Sequence, residues 1–427
     1  MSEFLSRGYT AALPASPLFS LRLRSVQRRC NMNGSFSRDH SPTSAGAPAN
    51  LVDLGSLRVA IVHYFLISLR GGERVLEAIC EVFPQADVFV LVYDPALQSQ
   101  MLPGHKIRAS FVQKLPFARR LYRSYLPLFP VAVEQFDLRG YDLVISNESG
   151  LAKGVLTNPE TCHICYCHTP MRYGWSLYHD YLMSAGPLKR LFIPYFMNYI
   201  RLWDQLSANR VDYFIACSHN TERRIQKFYR RTSQVLYPPI DTAGFQISQA
   251  HDEYYLVVSE LVSYKRVDLV VQAFNQLGRA LLIVGDGPEF RRYKRLAKPN
   301  VQFLGRVSEH ELAALYSKCR AMVFLTEEDI GMTALEANAS GRPVIAYARG
   351  GALETVADGE TGVLFPIQTA ASLVEAVQRF EQMEGTFDPA KLRSHAECFD
   401  RSIFQKKFSA LVQSCLYQFH KGSTPFA

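Results

Sequence analysis

Two carboxylates frame the stretch with the clearest chemical content. Glu328 and Glu336 stand eight residues apart in Thr326-Glu327-Glu328-Asp329-Ile330-Gly331-Met332-Thr333-Ala334-Leu335-Glu336. The apolar run 321–325 before them reads as a strand, and the residues after Gly331 read as a helix. Glu328 then lies in the loop at the strand's carboxyl end, and Glu336 about one turn inside the helix. Gly331, Met332 and Thr333 offer free backbone N–H groups at the helix N-terminus, where the dipole favours anions. A diphosphate flanked by two hydroxyl-bearing sugars fits that arrangement. An acidic cluster that only complements the helix dipole fits it too, and these residues alone leave both readings open.

Other positions carry weaker signals. Gly71-Gly72 falls where a strand hands over to a helix, so its N–H groups could approach a phosphate or sugar, or simply make a tight turn. Gly285-Asp286-Gly287-Pro288 is another strand-end turn, but Phe290 replaces the third glycine of a dinucleotide fingerprint. No GxxxxGK[ST] motif occurs. Cys162, Cys165, Cys167 and His168 have the residue types of a metal cluster. A buried strand running into a loop accounts for them equally, because no second Cys/His pair at zinc-like spacing follows. A strand-end histidine such as His168 is by itself most often structural.

Alternating strands and helices must position these residues. Apolar runs at 57–66, 87–92, 142–146, 163–167 and 213–216 predict strands of one parallel sheet, with helices at 75–82 and 221–227 between them. Tyr237-Pro238-Pro239-Ile240-Asp241 interrupts the pattern. It restarts with strands at 254–259, 280–284, 301–304, 321–325 and 343–347 and a helix at 268–277. The expectation is an α/β chain of two Rossmann-like sheets facing across a cleft, with a hinge near 238–246. Ligands of such sheets bind beyond the carboxyl ends of the strands. The boundaries read as a disordered leader at 1–56, a first Rossmann-like domain at 57–240, a second at 241–385 and a helical tail at 386–427.

Composition is consistent with this. A chain of 427 residues with 48% hydrophobic and 20% charged residues has room for two or three domains. It contains no apolar run long enough to span a membrane. Residues 1–50 carry six arginines against two acids, half of the net charge of +8, and lack the apolar core of a secretory signal. A disordered leader, a targeting extension or a start at Met32 would each explain them. Nine cysteines at irregular spacing point to reduced thiols in a cytosol.

A carboxylate, seven residues, a second carboxylate and then Ala-Asn-Ala-Ser-Gly-Arg-Pro-Val-Ile-Ala resembles the retaining glycosyltransferases of family 4, which have the GT-B fold. "GGERVLEAI", "CHTPMRYGWSLYHDYL", "RLWDQLSANRVDYFIACS" and "YKRVDLVVQAF" extend the resemblance in family order from about 57 to 370. "HTPMRY" and "GGALETV" are similar to the bacterial mannosyltransferases of surface polysaccharides. The resemblance implies that Glu336 binds the nucleotide ribose and Glu328 a donor-sugar hydroxyl. It implies that Gly331, Met332, Thr333 and Lys265 hold the diphosphate, and that Gly71 and Gly72 meet the donor from the other domain. His168 would face the reacting centre, and Arg172 would assist the acceptor or a phosphate. One departure stands out: Glu260 occupies a position where the family commonly has arginine. A carboxylate about 4 Å from the diphosphate would cost about 4 kcal/mol at an effective dielectric near 20. Glu260 must therefore point away, be compensated by Arg266, or impair donor binding.

The implied reaction retains anomeric configuration, with the leaving diphosphate stabilised electrostatically and no cofactor. No Asp-Xaa-Asp motif occurs, which fits metal independence. The implied partners are a nucleotide-sugar donor, with GDP-mannose the best match, and a glycan or lipid-linked acceptor. A non-catalytic sugar-nucleotide-binding relative and a GT-B-like epimerase are the alternatives. Between Pro103 and Val133 no acid appears, while Lys106, Arg108, Lys114, Arg119, Arg120 and Arg123 interleave with aromatic and leucine residues. This stretch, and 186–201 after it, suit an anionic membrane surface or a solvated basic face over ordinary core. The expected location is the cytoplasm, peripheral to the inner face of a membrane. No nucleic-acid recognition motif accompanies the charge.

Overall fold

The structure, a computed structural model, describes residues 52–422. Most of the expected leader lies outside the described residues. Its last part does not: Val52 exchanges hydrogen bonds with the Gln413 side chain at 3.1 and 2.6 Å.

The first sheet has seven parallel strands: β1 (Val59–Leu66), β2 (Asp87–Tyr93), β3 (Ile107–Ala109), β4 (Leu143–Glu148), β5 (Cys162–Cys167), β6 (Tyr213–Ala216) and β7 (Gln234–Val235). Their order is β3-β2-β1-β4-β5-β6-β7. The second has six: β8 (Tyr254–Val258), β9 (Ala280–Val284), β10 (Val301–Gly305), β11 (Met322–Phe324), β12 (Val344–Tyr347) and β13 (Gly362–Phe365), in the order β10-β9-β8-β11-β12-β13. Both are doubly wound, with the order reversing beside β1 and β8, and a ligand crevice belongs at that point. Continuous apolar runs form the central strands because helices cover both faces; β4 and β5 are buried along their whole length.

Three edge strands, β3, β7 and β13, were not expected. Each is two to four residues long, too short for periodicity to register. The helices that cover the first sheet and border the cleft include α1 (Gly71–Val82), α2 (Pro187–Ser207), α3 (His219–Phe228), α4 (Met332–Ala339) and α5 (Arg401–Gly422).

The expected tail at 386–427 divides in two. Leu392 packs into the second domain's core. Helix α5 returns to the first domain, where Phe404, Phe408, Val412, Cys415 and Leu416 join the core beside Val59, Ile61 and Tyr166. Arg401 fixes its start on α1 through Glu77 (3.2 Å) and Glu81 (2.6 Å). The chain therefore crosses between the domains twice, side by side. Ile240 N–H donates to Phe399 O at 3.0 Å, and Arg401 N–H to Ile240 O at 3.1 Å.

Candidate functional site

On the second domain, the turn after β8 carries Lys265 and the loop after β11 carries Glu328. Lys265 Nζ lies 2.8 Å from Glu328 Oε1. With Ser259 and Thr326 they line a pocket over the carboxyl ends of β8 and β11. Burial opposes charge on both groups, but each is the other's counter-ion. The net effect raises the Lys265 pKa and lowers that of Glu328, so the pair is held ionised.

Glycines set the loop positions. A Cβ on Gly285 would lie 1.9 Å from Ser259 O, and one on Gly287 2.4 Å from Leu261 O. The Gly-Asp-Gly-Pro turn is thus the floor under the 259–261 loop. Gly350 and Gly351 do the same for the acidic loop, since a Cβ on either would fall within 2.3 Å of Glu328 O or Ile330 Cα.

Gly331 adopts φ +79° and caps α4, with the Phe324 ring where a side chain would go. Met332 and Thr333 come next as the first helical residues, so three N–H groups point out of the N-terminus as expected. Glu336 accepts a hydrogen bond from the Tyr316 hydroxyl at 2.9 Å. Burial raises its pKa, and the Arg74 charge and the Tyr316 bond pull the other way.

Across the cleft, Gly71 and Gly72 open α1. A Cβ on Gly71 would meet Met332 Sδ at 2.7 Å, so the two helix N-termini approach each other through this glycine. A Cβ on Gly72 would lie 2.6 Å from the Tyr64 hydroxyl and 3.7 Å from His168 Nε2.

His168 ends β5 in a network that fixes its tautomer. Asn147 Nδ2 donates to Gly72 O at 2.9 Å, and a carbonyl can only accept. Asn147 Oδ1 therefore faces His168 Nε2 at 2.6 Å, and that nitrogen carries the proton. His168 Nδ1 keeps the lone pair. The same amide nitrogen approaches His63 Nδ1 at 3.1 Å. Burial first, and then His63, push the His168 pKa down to about 3.

The basic residues are engaged across the cleft. Arg172 Nη2 donates to Asp329 Oδ2 at 2.5 Å, and Arg224 of α3 donates to the other oxygen of the same carboxylate. Glu260 pairs with Arg70 of the first domain at 3.2 Å. Arg266 does not compensate Glu260: it has φ +53° and pairs with Asp268 at 3.3 Å. Further on, Arg74 meets Glu309 at 2.5 Å. Glu354 accepts from the N–H groups of His219 and Asn220 at the start of α3, at 2.9 and 2.8 Å. Cys162, Cys165 and Cys167 are buried along β5, and Cys217 Sγ donates to His168 O at 3.0 Å.

Sequence reasoning missed Arg70, Arg74, Asn147, Arg224, Asp329 and Tyr316. Asp329 stood inside the acidic motif, and the run of three acids, Glu327, Glu328 and Asp329, was a signal that one needed a cationic partner. Arg70 and Arg74 flank the Gly71-Gly72 turn, inside or beside a stretch already singled out, but their partners Glu260 and Glu309 are distant in sequence. Asn147, Arg224 and Tyr316 sit in stretches with no local signature, and only the tertiary fold brings them to the cleft.

Known proteins share this plan. The Glycosyltransferase Family 4 model matches residues 69–243, and the model for glycosyl transferases group 1 matches residues 244–397. D-rhamnosyltransferase WbpZ of Pseudomonas aeruginosa is 25% identical over 219 residues, covering 47% of this chain and 56% of that protein. The GDP-mannose-dependent α-(1-6)-phosphatidylinositol monomannoside mannosyltransferase of Mycolicibacterium smegmatis is 36% identical over 125 residues, 25% of this chain and 33% of that one. The chain spans about half the length of the curated relatives it matches. Among solved structures, Anabaena Alr3699/HepE in complex with UDP superposes with a TM-score of 0.63 at 17% identity, covering 84% of this chain and all of that one. Two parallel doubly wound domains, a cleft between them and two consecutive family matches lead to one conclusion: the chain belongs to the family 4 glycosyltransferases and has the GT-B fold.

Proposed function

We propose that this enzyme transfers a hexose, mannose, from a nucleotide-diphosphate sugar, GDP-mannose, to a glycan or lipid-linked acceptor, with retention of anomeric configuration. The observation that carries the reading is the Lys265–Glu328 pair beside the N-terminus of α4, opposite Gly71, Gly72 and His168. In this reading the bond from the sugar's anomeric carbon to the diphosphate breaks. The acceptor hydroxyl bonds to that carbon on the same face, and its proton passes to the departing phosphate oxygen. Lys265 and the N–H groups of Gly331, Met332 and Thr333 stabilise the charge that develops, without a metal. Glu336 holds the ribose and Glu328 a sugar hydroxyl. Mannosyltransferases among the relatives support the choice of sugar.

Glu260 was the residue that favoured a non-catalytic relative. Its pairing with Arg70 offsets its charge and removes that objection. The proposed setting is the inner face of a membrane, where a lipid-linked acceptor is presented. A thermal-shift screen of sugar nucleotides tests the donor. GDP-mannose should raise the melting temperature as RT ln(1 + [L]/Kd), more than UDP-glucose does. A larger shift with the uridine nucleotide would reassign the base.

A further inference from the structure

We infer that helix α2 is the surface by which this enzyme lies on an anionic lipid bilayer. The inference deepens the proposed membrane setting and rests on that reading. Helix α2 has 21 residues, about 31 Å of helix. Met197, Ile200 and Trp203 bury one side of it in the first domain's core. Another side carries Leu188, Leu191, Phe192, Tyr195, Tyr199 and Leu202, each between 51% and 78% exposed. At 100° per residue these six fall in one stripe about 100° wide, with no charged residue inside it. A core helix needs one such face, and this one has a second with nothing of the described chain covering it. Large contiguous apolar patches of this kind mark interaction surfaces.

Charge selects the occupant. No acid occurs from Tyr181 to Trp203, while Lys189 and Arg190 stand at the start of the stripe. The acid-free stretch before Val133 packs on the same core cluster through Phe111, Leu115 and Tyr122. It leaves Phe117 72% exposed, with Arg119 and Arg120 exposed beside it. A second copy would bring cations against cations, whereas anionic headgroups complement them. Aromatic and leucine side chains at a basic rim are the composition of a helix lying in the interface plane. Among the described residues no helix is long and apolar enough to cross the bilayer. The basic stretch at 105–125 then has a supporting part. Its aromatic residues are largely spent on the core, and α2 supplies the apolar contact.

Flotation of the full chain with vesicles tests this, using phosphatidylcholine alone and phosphatidylcholine mixed with phosphatidylglycerol. The parent should float with the mixed vesicles. L191E/Y195E should lower partitioning at least roughly tenfold, since it places charge in the stripe that would enter the bilayer. K189Q/R190Q, which leaves the stripe intact, should lower binding to the mixed vesicles by roughly fivefold per residue and leave neutral vesicles unaffected. All four substituted positions are exposed, and an unchanged nucleotide-induced thermal shift checks the fold. Flotation of L191E/Y195E equal to the parent overturns the inference. So does a parent dimer that L191E/Y195E dissociates, which would assign the stripe to a second copy. A parent that transfers sugar to a soluble acceptor but floats with neither vesicle refutes the docking surface and leaves the transferase reading standing.

Discussion

Replacing Asp329 with asparagine tests whether the cleft is held by the charges that meet there. The carboxylate accepts from Arg172 at 2.5 Å and from Arg224 through its other oxygen. All three side chains are at most 20% exposed, so solvent screens them little. Each charge-assisted bond contributes about 1.5–3 kcal/mol. Asparagine keeps one neutral acceptor oxygen, so one bond survives in weakened form and the other is lost. The expected loss is about 2–3 kcal/mol of attraction between the domains. If the donor reacts only when the two domains are in register, kcat/KM falls by about 30- to 150-fold. Steady-state transfer at fixed salt measures this, and small-angle scattering reports the domain separation. A value within threefold of the parent, with unchanged scattering, would refute the role given to this carboxylate.

The same geometry sets three further outcomes. Lys265→Ala should reduce turnover far more than it weakens nucleoside diphosphate binding, because the charge it meets grows in the transition state; single-turnover kinetics separates the two. Glu336→Ala should weaken nucleotide binding by about 1.5–3 kcal/mol, read by calorimetry, with an unchanged circular dichroism spectrum. The pKa of His168 is held at about 3, so the imidazole stays neutral and the rate should show no inflection near its ordinary value of about 6.5. Below that value the unfolded chain binds a proton that the folded chain refuses. Its contribution to stability is therefore complete above about 6.5 and declines as the pH falls toward 3, which urea midpoints against pH would record.

Much of the fold was legible because parallel strands buried on both faces are continuous apolar runs. The stretches at 57–66, 142–146 and 163–167 became β1, β4 and β5 within a few residues. Edge strands such as β3 and β7 were not legible, since two or three paired residues have no period. The second-domain half of the cleft was readable because its chemistry is local: Glu328, Gly331 and Glu336 belong to one strand–loop–helix unit. The first-domain half depends on pairs far apart in sequence, such as Asn147 with His168 and Arg224 with Asp329, which no local pattern announces. Glu260 shows the same limit. Its sequence context set it against a diphosphate, and only the fold supplies Arg70. Gly285, Gly287, Gly350 and Gly351 were visible as glycines, but their function as floors for two loops needs the neighbouring backbone.

Retaining transfer from a nucleotide sugar leaves its mark on the stereochemistry of the product. The full chain would be incubated with GDP-mannose and a lipid-linked or soluble glycan acceptor, and the new linkage read from its one-bond anomeric carbon–proton coupling by NMR. The expected product is an α-linked mannose, the configuration of the donor, formed by the parent and lost in Lys265→Ala. A β-linked product, or a donor that is isomerised with no transfer to the acceptor, would contradict it.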